Sequence, residues 1–249
     1  MSSEKEIAPA KPASSVVLVR DGDTGLEVLM MERAKTMKFA PGAFVFPGGK
    51  IDKTDADTNL WDGLTNSSPD SADFDYRVGV LRELYEEAAV MLTVGAAKDT
   101  AGSQDFHGDL ITVSGVLDTA GLVPFAHWVT PETAPRRFDT HFFIAAHNGQ
   151  AAKHDGNEAI SLRWVNPQVL LNDWEDDKVP LMFPTRLNLI KLARATTVTE
   201  AMKQAKNTPL VRTIPKVTRG RNGLSVTIDK AAGYGVTKAS LRELNVEKP

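Results

Sequence analysis

Apolar and β-branched residues run from Ser15 to Arg20 and again from Leu26 to Arg33, and the residues between them, Asp21-Gly22-Asp23-Thr24-Gly25, have the composition of a turn. This pattern predicts a β-hairpin. Ala43 to Phe46 reads as a short strand bent sharply at both ends, because Pro41-Gly42 precedes it and Pro47-Gly48-Gly49 closes it. From Ile51 to Asp75 the chain turns to Asp, Thr, Asn, Ser and Gly around an isolated Leu60-Trp61, the composition of a surface excursion rather than a core element. Helical periodicity then returns. Val78, Leu81, Tyr85, Ala88 and Leu92 fall on one stripe, and Glu83, Glu86 and Glu87 on the opposite side. The helix is expected to run past Ala89 toward Gly95, since Ala is a strong helix former and Gly95 is the next suitable terminating residue.

Further along, Val123 to Val129, Phe138 to Ala145 and Ile160 to Val165 read as strands, and Pro184 to Ala195 and Thr199 to Asn207 as helices. Strands and helices are therefore interleaved, which places the chain in the α/β class. The last forty residues suggest a hairpin around Arg219-Gly220-Arg221-Asn222-Gly223 and a short helix over Lys238 to Leu244. Residues 1–13 mix charge with Ala, Pro and Ser, and read as a disordered arm.

Composition narrows the chemistry. A chain of 249 residues is long enough for one elaborated domain, and a net charge of −3 gives no basic field, so nucleic acid is not expected as a partner. No apolar run reaches membrane-spanning length and no signal-type segment opens the chain, so the expectation is no membrane association and a cytoplasmic location. There is no cysteine, so any metal must be held by oxygen or imidazole. The five histidines show no i, i+4 pair of the zinc-helix kind and read as structural.

The acidic helix is the main candidate for chemistry. A solvated helix face alternates the sign of its charges, whereas Glu83 and Glu87 are like charges at i, i+4, and Arg82 is the only cation from Val80 to Val94. A hard divalent cation would relieve that repulsion, because carboxylates at i, i+3 and i+4 converge on one side of a helix. Such a cation could also neutralise a diphosphate and activate a water. Arg82 is placed to hold Glu83 in one orientation by a charge-assisted hydrogen bond.

These residues resemble the Nudix hydrolase signature: Gly, five residues, Glu, seven residues, then Arg-Glu-apolar-any-Glu-Glu-any-Gly-apolar. Gly49 opens it, and Arg82-Glu83-Leu84-Tyr85-Glu86-Glu87-Ala88-Ala89-Val90 closes it. Three departures are visible. Asp55 replaces the first Glu, residues 56–81 fill the seven-residue spacer, and Ala89 replaces the closing Gly. The long spacer, Gly48-Gly49-Lys50-Ile51-Asp52-Lys53-Thr54-Asp55, Trp128-Val129-Thr130-Pro131-Glu132 and Arg136 to Phe143 resemble the coenzyme A diphosphatase subgroup of peroxisomes and bacteria. Leu29-Met30-Met31-Glu32-Arg33-Ala34, Lys38, Gly42 and Phe46-Pro47-Gly48-Gly49 keep the spacing of a second signature that accompanies coenzyme A hydrolysis.

The resemblance implies a Nudix α/β/α sandwich with a mixed sheet over residues 14–215, an insertion at 56–77 and a C-terminal extension over 216–249. It implies Mg²⁺ or Mn²⁺ held by Glu83, Glu86 and Glu87, with the Gly49 carbonyl and Asp55 as further metal ligands. Arg82 and Glu158 join the glutamates in catalysis, and Arg33, Lys38, Gly48 and Gly49 contact the substrate. The implied substrate is coenzyme A or an acyl derivative, cleaved to 3′,5′-ADP and (acyl-)phosphopantetheine. The alternatives are another nucleoside diphosphate derivative, such as a dinucleotide or nucleotide sugar, and a non-catalytic ligand-binding regulatory module. A homodimer is left open.

Overall fold

The computed structural model describes residues 7–37, 40–95, 105–154, 156, 159–220 and 223–240. The expected hairpin is formed by β1 (Ala10–Gly22) and β2 (Gly25–Arg33), with Val19 opposite Val28 and Gly22 opposite Gly25. Two short strands follow, β3 (Phe44–Val45) and β4 (Gly48–Lys50), then a 3-10 turn at Lys53–Ala56. The helices α1 (Phe74–Ala88) and α2 (Phe106–Thr112) precede β5 (Val123–Val129), β6 (Arg137–Ala146) and β7 (Ala159–Val165). Three helices come next, α3 (Pro167–Glu175), α4 (Phe183–Leu192) and α5 (Val198–Asn207). The chain closes with β8 (Arg212–Thr213), β9 (Lys216–Gly220), β10 (Gly223–Thr227) and β11 (Lys238–Ser240).

The main sheet is mixed and runs β3-β2-β1-β6-β5-β8, with β4 also on β1 and β7 also on β2. β1 and β6 are parallel from Ala10 opposite Arg137 to Val19 opposite Ala146, whereas β5 and β6 are antiparallel. β1 is covered on both faces. Val16 and Leu18 pack with α1 and α2, and Val17 and Val19 with the core beneath α4 and α5. That is why it reads as a continuous apolar run rather than an alternation.

Several sequence expectations need correction. The arm expected over residues 1–13 is shorter, because Ala10 to Ala13 already pair with β6. The stretch from Ile51 to Asp75 is not wholly a surface excursion: Trp61 is buried, its ring lies 5.7 Å from that of Phe106, and its Nε1 donates to the Thr54 carbonyl at 2.7 Å. The insertion expected over 56–77 ends in helix, since Phe74 to Arg77 form the first turn of α1.

α1 stops at Ala88 and does not continue toward Gly95. Ala89 takes the left-handed conformation, φ 53 and ψ 28, and its N–H bonds the Tyr85 carbonyl at 2.8 Å. Packing explains the break. Val90, Met91 and Leu92 are all buried in the cluster that α1 shares with α2, in the non-helical chain that follows Ala89. Side chains from the β6–β7 connection hold them there, with Met91 N–H donating to Gln150 Oε1 at 2.7 Å and Asn148 Nδ2 donating to the Met91 carbonyl at 2.9 Å.

At the C-terminus the hairpin is present, as Gly223 pairs with Gly220. The helix expected over Lys238 to Leu244 is not: Lys238–Ser240 is a strand antiparallel to β10, and Leu241 to Leu244 lie outside the described residues. This segment completes the core, with Val226, Ile228, Tyr234 and Ala239 buried against α4, α5 and β5.

Candidate active site

The site forms where α1 lies against β4. β4 pairs antiparallel with β1, placing Gly48 opposite Ser15 and Gly49 opposite Ser14. Gly48 has φ 150, and a Cβ there would stand 2.2 Å from the Ser14 carbonyl oxygen, so only glycine fits. A Cβ on Gly49 would stand 2.5 Å from the Glu83 carboxylate. The two glycines thus let the helix carboxylates approach the strand backbone. Glu87 makes that contact directly, its Oε2 accepting from the Gly48 N–H at 2.8 Å.

Arg82 organises the rest. Its Nε and Nη2 donate to the two carboxylate oxygens of Asp55 at 2.9 Å each, and Nη2 also reaches the Lys50 carbonyl at 2.9 Å. Nη1 donates to Glu83 at 3.1 Å and to Glu86 at 2.8 Å. The bond expected between Arg82 and Glu83 is therefore present. Asp55 is fully buried, and its Oδ2 accepts from the Asp52 N–H at 2.7 Å as well. Asp55 serves as the anchor of Arg82 rather than as a metal ligand, a correction that follows from both oxygens being engaged.

Glu83, Glu86 and Glu87 occupy a partly desolvated edge, not an open helix face. Burial raises the Glu83 carboxyl to about 7 despite the neighbouring Arg82, and burial also raises Glu86. Three carboxylates with one shared guanidinium form a hard-oxygen set of net negative charge. That donor chemistry fits Mg²⁺ or Mn²⁺.

A cavity of about 350 Å³ adjoins Gly48, with Arg33 at its edge and Phe46, Trp128, Phe142 and Phe183 among its walls. Pro215 and Val226 supply part of the wall from the C-terminal segment, which the sequence did not connect to the site. Trp128 is held in place by Tyr234, whose hydroxyl accepts from Trp128 Nε1 at 2.8 Å and donates to Asn188 Oδ1 at 3.0 Å. Of the other residues expected at the site, Lys38 and Glu158 lie outside the described residues. The structure brings Arg33, Gly48, Gly49, Arg82, Glu83, Glu86 and Glu87 to one end of the sheet. It also gathers His127, Asp139 and His141, which the sequence treats separately. A signal for that cluster was present in the alternation of Asp139 and His141 on a strand.

The chain belongs to the NUDIX family: residues 9–183 match the NUDIX domain, and the mixed sheet between helices is the Nudix fold. Hydrolases that carry this domain use divalent metal ions on small nucleoside diphosphate substrates. It is 28% identical over 195 residues to putative nudix hydrolase 7 of Caenorhabditis elegans, an alignment covering 74% of this chain and 61% of that protein. It is 25% identical over 268 aligned positions to the acyl-coenzyme A diphosphatase NUDT19 of Xenopus laevis, covering 81% of this chain and 70% of that one. The crystal structure of a NUDIX hydrolase from Alicyclobacillus acidocaldarius superposes with a TM-score of 0.69 at 28% identity, covering 82% of this chain and all of that chain. The chain thus spans about three fifths of the length of the nematode relative. Among the described residues, no helix is long and apolar enough to cross a membrane.

Proposed function

We propose that the protein hydrolyses the diphosphate of coenzyme A or an acyl-coenzyme A, giving 3′,5′-ADP and (acyl-)phosphopantetheine. The observation that carries this reading is Gly48, which lines the cavity that Arg33 also lines and donates its N–H to Glu87 of the acidic edge. A diphosphate lying at the carboxylate edge would put an adenosine within reach of the aromatic walls and its 3′-phosphate within reach of Arg33. Similarity to a relative named as an acyl-coenzyme A diphosphatase favours the same substrate class.

Glu83, Glu86 and Glu87 would hold Mg²⁺ or Mn²⁺, with the Gly49 carbonyl as a further ligand. When bound, the cation supplies charge neutralisation of the diphosphate and Lewis-acid polarisation of the phosphorus under attack. The chain itself does two things. Arg82, clamped by Asp55, fixes Glu83 and Glu86 so that little reorganisation accompanies the reaction. The Gly48-Gly49 backbone lets the Glu83 and Glu87 carboxylates lie against the strand, close to where a diphosphate would sit. Water then forms the new P–O bond as the bridging P–O bond breaks.

Coenzyme A and acetyl-coenzyme A, offered with Mg²⁺ or Mn²⁺ and followed by product mass, test the assignment. Glu86→Gln and Glu87→Gln should each lower kcat/KM by about 10²-fold or more. Release of a nucleoside monophosphate from a dinucleotide or nucleotide sugar, with coenzyme A untouched, would move the protein to that alternative. Binding without turnover of any of these would identify a regulatory module.

A further inference from the structure

Beneath the opposite end of α1, strands β5 and β6 bring three ligand-type side chains together. His127 and His141 stand directly opposite each other in the antiparallel ladder, and Asp139 lies two residues before His141 on the same face. The two imidazole rings are 4.1 Å apart, His127 Nε2 is 2.5 Å from Asp139 Oδ1, and one ligand atom from each residue lies within 4.8 Å of the others. Arg212 donates to the second oxygen of Asp139 at 3.2 Å, so Oδ1 is the oxygen turned to the imidazoles. Tyr76 of α1 stacks on His141 at 4.1 Å and covers the group from the helix side. Ser14, which pairs with His141 across the β1–β6 ladder, has a fully buried hydroxyl without a hydrogen-bond partner among the described residues.

We propose that His127, Asp139 and His141 form a second cation site, separate from the Glu83-Glu86-Glu87 edge and selective for a borderline metal such as Zn²⁺. Two imidazoles and a carboxylate are a common donor set for Zn²⁺ and a poor one for Mg²⁺, which prefers oxygen ligands and its own waters. The ladder fixes the spacing of the two histidines, and Arg212 orients the carboxylate as an outer-shell partner does. Side-chain exposures of 14% for His127 and 24% for Asp139 leave a path for the ion and room for a water in the remaining coordination position. An ion pair of His127, Asp139 and Arg212 that only ties β5, β6 and β8 together would have no use for a second histidine, nor for an unpartnered serine hydroxyl beside it. Because Tyr76 and the catalytic glutamates share α1, occupancy fastens the start of that helix to the sheet without touching its acidic edge.

The test uses the full chain carrying Glu83→Gln, Glu86→Gln and Glu87→Gln, so that the acidic edge no longer competes for metal. Zn²⁺ is titrated against a chromophoric chelator in the presence of excess Mg²⁺. One equivalent should bind, and His141→Gln or His127→Gln added to this background should weaken it at least tenfold. Co²⁺ should give visible absorption bands that the same substitutions remove, and Zn²⁺ should raise Tm in the triple variant but not in the histidine variants. The far-ultraviolet circular dichroism of each protein reports whether it is folded. If the triple variant folds poorly, the same titration on the unsubstituted chain, read by the Co²⁺ bands against its two histidine variants, replaces it. Zn²⁺ binding absent from the triple variant, or unchanged by the histidine substitutions in a folded protein, would overturn the site.

Discussion

Arg82 and Asp55, separated by the long spacer in sequence, meet in a two-pronged pair with both N–O distances at 2.9 Å and Asp55 wholly buried. Removing one partner of such a pair leaves the other charge buried and uncompensated, a change worth about 3–5 kcal/mol. Asp55→Ala should therefore destabilise the fold by about that amount in urea unfolding. It should also lower kcat, because Arg82 no longer holds Glu83 and Glu86. A loss below about 1 kcal/mol, as for an exposed pair, would show that Asp55 is not the anchor.

Ala89 offers a prediction of the opposite sign. A left-handed conformation costs an alanine roughly 1–2 kcal/mol, while glycine adds roughly 0.4–1 kcal/mol of chain entropy to the unfolded state. Ala89→Gly should thus stabilise the protein by about 0.5 kcal/mol, with turnover unchanged. A fall in Tm would mean that the alanine methyl group packs better than its backbone strain suggests.

The acidic edge sets a pH dependence. The folded chain keeps a proton on Glu83 up to about pH 7, whereas the ordinary glutamate value is 4.5. Between those values the folded state binds more protons than the unfolded state, so stability without metal falls as pH rises through that window. The contribution is complete below the lower value and gone above the upper one. Urea midpoints measured with a chelator at about pH 5 and about pH 8 should decline in the unsubstituted protein and decline less in Glu83→Gln. A cation competes with this proton, so metal affinity should rise over the same window, with proton release visible by calorimetry in two buffers.

The cavity wall from the C-terminal segment can be tested separately. Val226→Trp should fill part of the space beside Trp128 and raise KM for coenzyme A several-fold while kcat stays near its original value. Tyr234→Phe removes the hydroxyl shared by Trp128 and Asn188, at about 0.5–1.5 kcal/mol, since Trp128 Nε1 still reaches Asn188 Oδ1 at 3.3 Å. An unchanged KM in Val226→Trp would place the substrate elsewhere.

Legibility in the sequence followed the locality of the forces. The β1–β2 hairpin, the three later strands, α4 and α5 were readable because alternation, helical spacing and turn residues act within a few positions. α3 was missed although its signal was there: Asn166 caps it by accepting from Gln168 N–H at 2.9 Å, and Pro167 opens it. The end of α1 at Ala88 was not readable, since it depends on Gln150 and Asn148 capturing Met91 from far along the chain. The three glutamates were visible from charge spacing, but their burial was not. Asp55 was misread for the same reason, because a carboxylate buried against Arg82 and one facing a cation look alike in sequence.

The parallel pairing of β1 with β6 has a consequence for biosynthesis. Ala10 pairs with Arg137 and Val19 with Ala146, so the chain as far as Ala146 must leave the ribosome before β1 has its parallel neighbour β6. β4, which carries Gly48 and Gly49, pairs with the same Ala13 to Ser15 segment on its other edge. During synthesis that segment therefore stays open on the β6 side while the glycine loop and the acidic helix are already outside. Ladders between distant segments form slowly and leave strand edges exposed meanwhile. β1 is therefore begun early and finished late, and the acidic edge beside it faces an incomplete sheet until β6 arrives.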